Sequence, residues 1–175
     1  MTQTVTLEWY ERLVAKMVGS TRRHFSEQKG SKDVNGPPDD NAVENHQHSA
    51  AAEAAVAKFT GRYWPATINT YKTLGDVGEL EVRSSYNPKA FLTVYPHDNP
   101  NRPYVLVTGR MPTFRIHGWI WGWEAQQRPD WLRQRPDWRP RYAVPQSALR
   151  DPVFLLPAEI PLPGEAVWPT ATASS

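Results

Sequence analysis

Residues 75–85, Gly-Asp-Val-Gly-Glu-Leu-Glu-Val-Arg-Ser-Ser, constrain the fold of this chain more than any other segment. From Glu79 to Arg83 charged and apolar side chains alternate, which predicts a strand with one polar face and one face in a core. Asp76 precedes this strand at a turn flanked by glycines. The segment therefore predicts a strand that begins with several carboxylates and lies at the edge of a half-buried sheet.

The carboxylates of Asp76 and Glu81 suggest a metal site, because hard oxygen ligands are what Mg²⁺ and Mn²⁺ prefer. On one flat strand the two residues would face opposite sides, since side chains alternate. We expect Gly75 and Gly78 to supply a bend that turns Asp76 toward Glu81. The alternative is an ordinary amphipathic edge strand with a solvated charged face.

Composition indicates a single domain with loose ends. The chain has 175 residues, 17 prolines, no cysteine and a net charge of +2. It lacks cysteine for disulfides or thiolate metal sites, and no apolar run approaches the roughly 18 residues of a membrane span. Without a signal-peptide pattern either, we expect a cytoplasmic protein that does not engage membranes.

Two helices are predicted in the first part of the chain. Apolar residues recur at helical spacing over residues 6–27, with Thr6 as the cap, which predicts an N-terminal helical segment within residues 1–28. Residues 29–41 are rich in glycine, proline and polar residues, so they predict a linker. A second helix is expected over residues 42–60, with Gly61 ending it.

Charged residues on these helices are candidates for a site. Arg22, Arg23 and His24 end the first helix and could contact phosphate, although cations are also favoured there by the helix dipole. Glu53 lies at the border of the apolar stripe of the second helix, so it can face either a cleft or water.

The second part of the chain predicts a small mixed sheet of four to five strands flanked by helices, in an α/β (α+β) fold. The turn at residues 96–101 favours an antiparallel meander. Glu124 should open a further helix or turn, and it is an outlying acidic candidate. The predicted strands cover residues 77–84, 90–95, 103–109 and 113–120, a last strand and helical turn cover 142–149, and an extended proline-rich tail covers 151–175.

A short duplication, Arg-Pro-Asp-Trp, occurs at residues 128–131 and 135–138. Arginines interleaved with tryptophans can hold a phosphate backbone and stack a base. The alternative is a structural role, in which prolines bracket turns and the tryptophans pack on the sheet. The candidates for nucleic-acid binding are Arg128, Trp131, Arg133, Arg135 and Trp138.

A helix with Glu53, then Asp76, then Glu81-Val82-Arg83 on a strand resembles the PD-(D/E)xK nuclease superfamily. Residues 51–149 also resemble a group of bacteriophage and actinobacterial proteins, through Glu-Ala-Ala-Val-Ala-Lys, Asp-Val-Gly-x-x-Glu-Val-Arg-Ser, Tyr-Val-Leu-Val-Thr-Gly and Tyr-Ala-Val-Pro-Gln-Ser-Ala-Leu. The nuclease resemblance implies a restriction-endonuclease-like core over residues 42–150. The resemblance to the bacteriophage and actinobacterial proteins implies a bacterial or phage-infected cytoplasm as the setting.

On this resemblance the expected activity is Mg²⁺-dependent (or Mn²⁺-dependent) hydrolysis of phosphodiester bonds in nucleic acid, with DNA the expected substrate. Asp76, Glu81 and the carbonyl of Val82 would hold the metal ion, and Glu53 would do so directly or through water. Arg83 stands where the family has lysine, and it stays protonated, so it can stabilise charge but not act as a base. Lys72 is a candidate substitute, and the resemblance also suggests a homodimer, because many such nucleases pair to cut both strands.

The sequence is also compatible with a function of a different class. A nuclease fold without catalysis could act as a module that binds nucleic acid or a host protein, and Arg83 favours this alternative. A zinc enzyme is disfavoured, because His46 and His48 diverge on a helix and no His-Glu-x-x-His spacing exists.

Overall fold

The computed structural model describes residues 1–28, 41–68, 75–136 and 138–156, and they form an α+β fold as predicted. Short 3₁₀ helices cover Pro129–Trp131, Gln146–Ala148 and Pro152–Leu155. The helices are α1 (Trp9–Gln28), α2 (Ala42–Thr60) and α3 (Gly122–Gln126); the strands are β1 (Gln3–Thr6), β2 (Glu81–Ser85), β3 (Leu92–Val94), β4 (Pro103–Arg110), β5 (Thr113–Trp121), β6 (Leu132–Arg135) and β7 (Trp138–Val144).

The strands form two sheets. A four-stranded mixed sheet has the order β1-β5-β4-β2, in which β2 runs parallel to β4 and the other neighbours are antiparallel. A three-stranded antiparallel sheet has the order β3-β7-β6. Because β2 is an edge strand of the larger sheet, its start is open to groups from the surrounding loops.

The β4–β5 hairpin contributes buried side chains to the cores on both faces of the larger sheet. In β4, Val105 and Val107 point to the face covered by α2, whereas Tyr104 and Leu106 point toward the smaller sheet. In β5 the register shifts at His117, between the pairs Leu106–Gly118 and Val107–Ile116. The extra residue reverses the alternation, so the start of β5 enters one core and its end enters the other.

Helix α2 lies in the core as an alanine-rich cylinder. Its bounds, Ala42–Thr60, match the prediction, and Gly61 ends it in the left-handed conformation with a φ of 64°. The alanines from Ala50 to Ala57 are buried together with Val56. Small side chains on several sides let α2 approach the sheet on one side and α1 on the other.

Helix α1 packs with the opposite face from the one expected. Ala15 and Gly19 are buried against α2, and a Cβ atom on Gly19 would lie 2.4 Å from the backbone of Gln47. Close approach of the two helices therefore requires small residues, and the larger apolar residues turn outward. The helical spacing predicts that these larger apolar residues face the core. In the structure the side chains of four of them are about half exposed or more: Tyr10, Leu13, Val14 and Met17.

Other expectations need correction. The N-terminal segment holds a strand, β1, before α1, so Thr6 is not the helix cap; the Glu11 side chain accepts from the backbone N–H of Glu8 there. Strands β3 and β4 do not form a meander, because β3 pairs with β7 in the other sheet. The second face of the larger sheet is covered by strands more than by helices.

The predicted linker and tail lie largely outside the described residues. Residues 29–40 and 157–175 are not among them. The part of the tail that is described is folded, contrary to expectation: Pro152 and Leu155 are buried in a 3₁₀ turn. Within the described ranges, no helix is both long and apolar enough to cross a lipid bilayer.

Exchanging Gly19 for alanine tests the close packing of α1 on α2. We expect Gly19→Ala to lower the free energy of unfolding by about 1–3 kcal/mol, because the new methyl group meets backbone atoms that cannot move aside. Met17→Ala, on the exposed face of the same helix, should change stability by no more than about 0.5 kcal/mol. Urea denaturation measures both, and equal losses would contradict this packing.

Candidate functional site

The turn before β2 brings Asp76 back onto the strand, as the glycines predict. Gly78 has a φ of 62°, and the Asp76 N–H donates to the carbonyl of Leu80 at 2.9 Å. The Val82 N–H then donates to Asp76 Oδ2 at 2.7 Å. This bond fixes the Asp76 carboxylate beside the backbone of Glu81 and Val82.

Glu81 begins β2 and lies among arginines. Its Oε1 accepts a hydrogen bond from Arg102, and its Oε2 is 3.8 Å from Nη1 of Arg83. Arg83 donates to Asp98 Oδ2 at 3.0 Å, and its guanidinium lies 5.1 Å from the centre of the Tyr104 ring. The start of β2 therefore carries alternating acidic and basic groups that are only slightly exposed.

Glu53 faces this region from α2 and is buried. Both of its carboxylate oxygens accept from Arg22, at 2.6 and 2.8 Å, and Oε2 also accepts from the indole N–H of Trp64 at 3.0 Å. Arg22 also donates to the carbonyl of Thr67. Glu53 and Arg22 thus form a bidentate ion pair that joins α1, α2 and the segment after α2.

The charge of Asp76 repels the carboxylates of both Glu53 and Glu81. Burial raises the pKa of Glu53, and the charge of Asp76 adds to the rise, while Arg22 and Trp64 oppose it. Burial likewise raises the pKa of Glu81, with Asp76 adding to it against Arg102 and Arg83. These raised pKa values favour the folded state at acidic pH, and that contribution is lost as the pH rises through them.

The oxygen donors at this site have the chemistry that Mg²⁺ requires. Asp76, Glu81 and the Val82 carbonyl offer hard oxygens, and a bound cation would offset the repulsion by Asp76 that adds to the effect of burial on the pKa of Glu81. Among the described residues, however, no three Asp, Glu, His or Cys side chains converge closely enough to hold an ion by themselves. An ion held there would have one or two carboxylate ligands and would keep most of its waters, as Mg²⁺ usually does.

Several candidates from the sequence lie elsewhere or are otherwise engaged. Lys72 falls outside the described residues. Arg22, a candidate phosphate ligand, is instead paired with Glu53, and Arg23 pairs with Glu27. Glu124 pairs with Arg150, which lowers its pKa.

Sequence patterns alone missed Arg102, Asp98 and Trp64. Arg102 and Asp98 sit near the turn before β4, and parallel pairing places Glu81 opposite Tyr104, close to Arg102. Trp64 follows α2 and returns to it. In each case the available signal was a polar or aromatic residue in a turn, and only the tertiary fold supplies the partner.

The arginine-rich segment forms the exposed β6–β7 hairpin. Arg128 makes a bidentate pair with Asp130 and covers the Trp131 ring at 4.3 Å. Trp131 is buried in the core between the sheets, so it has the structural role that was the alternative to nucleic-acid binding. Trp138 is 45% exposed, and Arg141 lies over its ring at 4.8 Å.

Arg133 and Arg135 are exposed on the same hairpin. Arg139 and Pro140 line a surface hollow with Pro96 and His97, next to the Asp98 that pairs with Arg83. The hairpin thus borders the turn that supports the acidic site.

Comparison of the chain with protein-family models, curated proteins and solved structures finds no match in any of the three.

Removing the charge of Asp76 should lower the pKa of both Glu53 and Glu81, because its repulsion raises both. Asp76→Asn keeps an oxygen to accept from the Val82 N–H. Carboxyl ¹³C NMR titration measures the change, and Asp130→Asn, at the surface, is the control. Unchanged glutamate pKa values in Asp76→Asn would show that the acids do not share one electrostatic environment.

A double-mutant cycle tests the buried pair of Arg22 and Glu53. Each single change, Arg22→Met or Glu53→Met, should cost about 3–5 kcal/mol, because it leaves one buried charge without its partner. The double variant should cost clearly less than the two together. Additive losses in chemical denaturation would mean that the pair is not coupled.

Proposed function

We propose that this protein is a metal-dependent nuclease that hydrolyses phosphodiester bonds in DNA, with its site at the start of β2. The observation that supports this most is the turn that binds Asp76 to the Val82 N–H. It holds the Asp76 carboxylate beside the backbone of Val82, close enough for its charge to act on Glu81. This turn lies beside β2, an edge strand that has no neighbouring strand on one side.

The residues of the site take distinct roles in this proposal. Asp76, Glu81 and the Val82 carbonyl would hold Mg²⁺ or Mn²⁺, which when bound supplies an activated water and neutralises phosphate charge. Arg83 is held by Asp98 and stays protonated, so it serves to hold a phosphoryl oxygen and stabilise negative charge. Glu53, already satisfied by Arg22 and Trp64, acts as a positioning residue.

The β6–β7 hairpin supplies the expected contact with the nucleic-acid backbone. Arg133, Arg135 and Arg139 are exposed there, and Arg139 lies beside the turn that carries Asp98. Cations on such a hairpin bind phosphates without regard to sequence, and the exposed ring of Trp138 can stack on a base.

A second candidate is a module with this fold that binds nucleic acid or a host protein without catalysis. The observation in its favour is that the carboxylates of Glu53 and Glu81 already have arginine partners. A network of ion pairs also perturbs pKa values, so it could serve stability alone. Calorimetry with Mn²⁺ separates the two candidates, because a purely structural network has no affinity for the ion.

A plasmid-nicking assay with Mg²⁺ and with Mn²⁺ tests the nuclease proposal. We expect the wild type to nick DNA, and Asp76→Asn or Glu81→Gln to lower the rate by about 100-fold or more, since each removes a charged ligand. Glu79→Gln, an exposed carboxylate in the same turn, is the matched control and should keep full activity. Equal inactivity of the wild type and Asp76→Asn would rule out this function under these conditions.

A further inference from the structure

A second site is suggested by a groove at the opposite end of β2 from the acidic residues. It lies between the first turns of α1, the start of α2 and the end of β4, and its volume is about 910 Å³. Glu81 starts β2 and Tyr86 follows its end, so at about 3.3 Å per residue the two are separated by about 16 Å along the strand. The groove is therefore distinct from the acidic site.

Three cations, Arg12, Lys16 and Arg110, line this groove. Arg12 Nε is buried without a hydrogen-bond partner. In the part of the chain that the structure describes, neither Arg12 nor Lys16 is ion-paired, while Arg110 lies 3.8 Å from Glu44, the one carboxylate in the lining. Burying part of a guanidinium without an acceptor is unfavourable, so the groove has a clear electrostatic preference for an anion.

Aromatic rings form the other part of the lining. Trp9 is 67% exposed, and Tyr86 lies between His48, at 3.9 Å between ring centres, and the guanidinium of Arg110, at 4.2 Å. His48 is held by a hydrogen bond with the carbonyl of Gly109 at 2.9 Å. Burial lowers the pKa of His48, so the ring is neutral at neutral pH and contributes to stacking rather than to charge.

We propose that this groove binds a nucleotide, with the phosphate held by Arg12, Lys16 and Arg110 and the base stacked on Trp9. The volume is in the range of sites that enclose a small organic ligand and exceeds what a phosphate ion alone would fill. Guanidinium groups beside an exposed indole match a ligand that is anionic at one end and flat at the other. This site goes beyond the proposed cleavage and does not depend on it.

Calorimetry on the full chain in EDTA tests the groove without a divalent ion. AMP should bind at least about 10-fold more tightly than either adenosine or inorganic phosphate, because only AMP uses both parts of the groove. Arg12→Gln, Lys16→Gln and Trp9→Ala should each weaken AMP binding by about 10-fold. Lys16 and Trp9 are exposed, so those variants test the site even where Arg12→Gln perturbs the fold.

The control variant is Arg115→Gln, an exposed arginine on β5 outside the groove, which should bind AMP as the wild type does. Asp76→Asn should also bind AMP normally, so failure of the nuclease proposal and failure of this one are distinguishable. Competition of a 5′-phosphorylated oligonucleotide with AMP would identify a strand end as the ligand, and absence of competition a free nucleotide.

Three results would overturn the proposal. They are AMP binding no tighter than phosphate binding, equal losses in Arg115→Gln and Lys16→Gln, or tighter binding of a poly-glutamate peptide than of AMP. The last outcome would identify the groove as a site for an acidic protein segment.

Discussion

The β4–β5 hairpin is the constraint on which the rest of the structure depends. Strand β4 is buried on both faces, so its alternate side chains have to satisfy two cores at once. The shift at His117 allows β5 to do the same over its length. Helix α2 and the smaller sheet can then cover opposite faces, and β2 is left at the edge, where its first residues meet loops instead of another strand.

The acidic residues proposed to bind a metal ion also stabilise the fold, Asp76 through the turn before β2 and Glu81 through its ion pairs. The charge of Asp76 repels both Glu53 and Glu81, and arginines from three separate segments offset this repulsion. The pairing of Glu53 with Arg22 also joins α1 to α2, about one helical turn from the close contact at Gly19. A cation that bound to Glu81 would have to compete with Arg102, which already pairs with it.

The sequence contained enough information for the parts of the fold that local rules decide. The bounds of α2 follow from its alanines and Gly61, and the turn at Asp76 follows from Gly78. The orientation of α1 could not be predicted, because periodicity identifies an apolar stripe but not whether that stripe or the small-residue face packs on a neighbour. The ion pairs of Glu81 and Arg83 join residues that only the parallel pairing of β2 and β4 brings together.

The indole of Trp64 is a natural fluorophore in direct contact with Glu53, the most buried of the three acids. Its N–H donates to Glu53 Oε2, so protonation of that carboxyl weakens the acceptor directly beside the chromophore. Indole emission depends on the charge and hydrogen bonding around the ring. The chain has eight tryptophans, so the ionisation of Glu53 is followed in the part of the emission that Trp64→Phe removes.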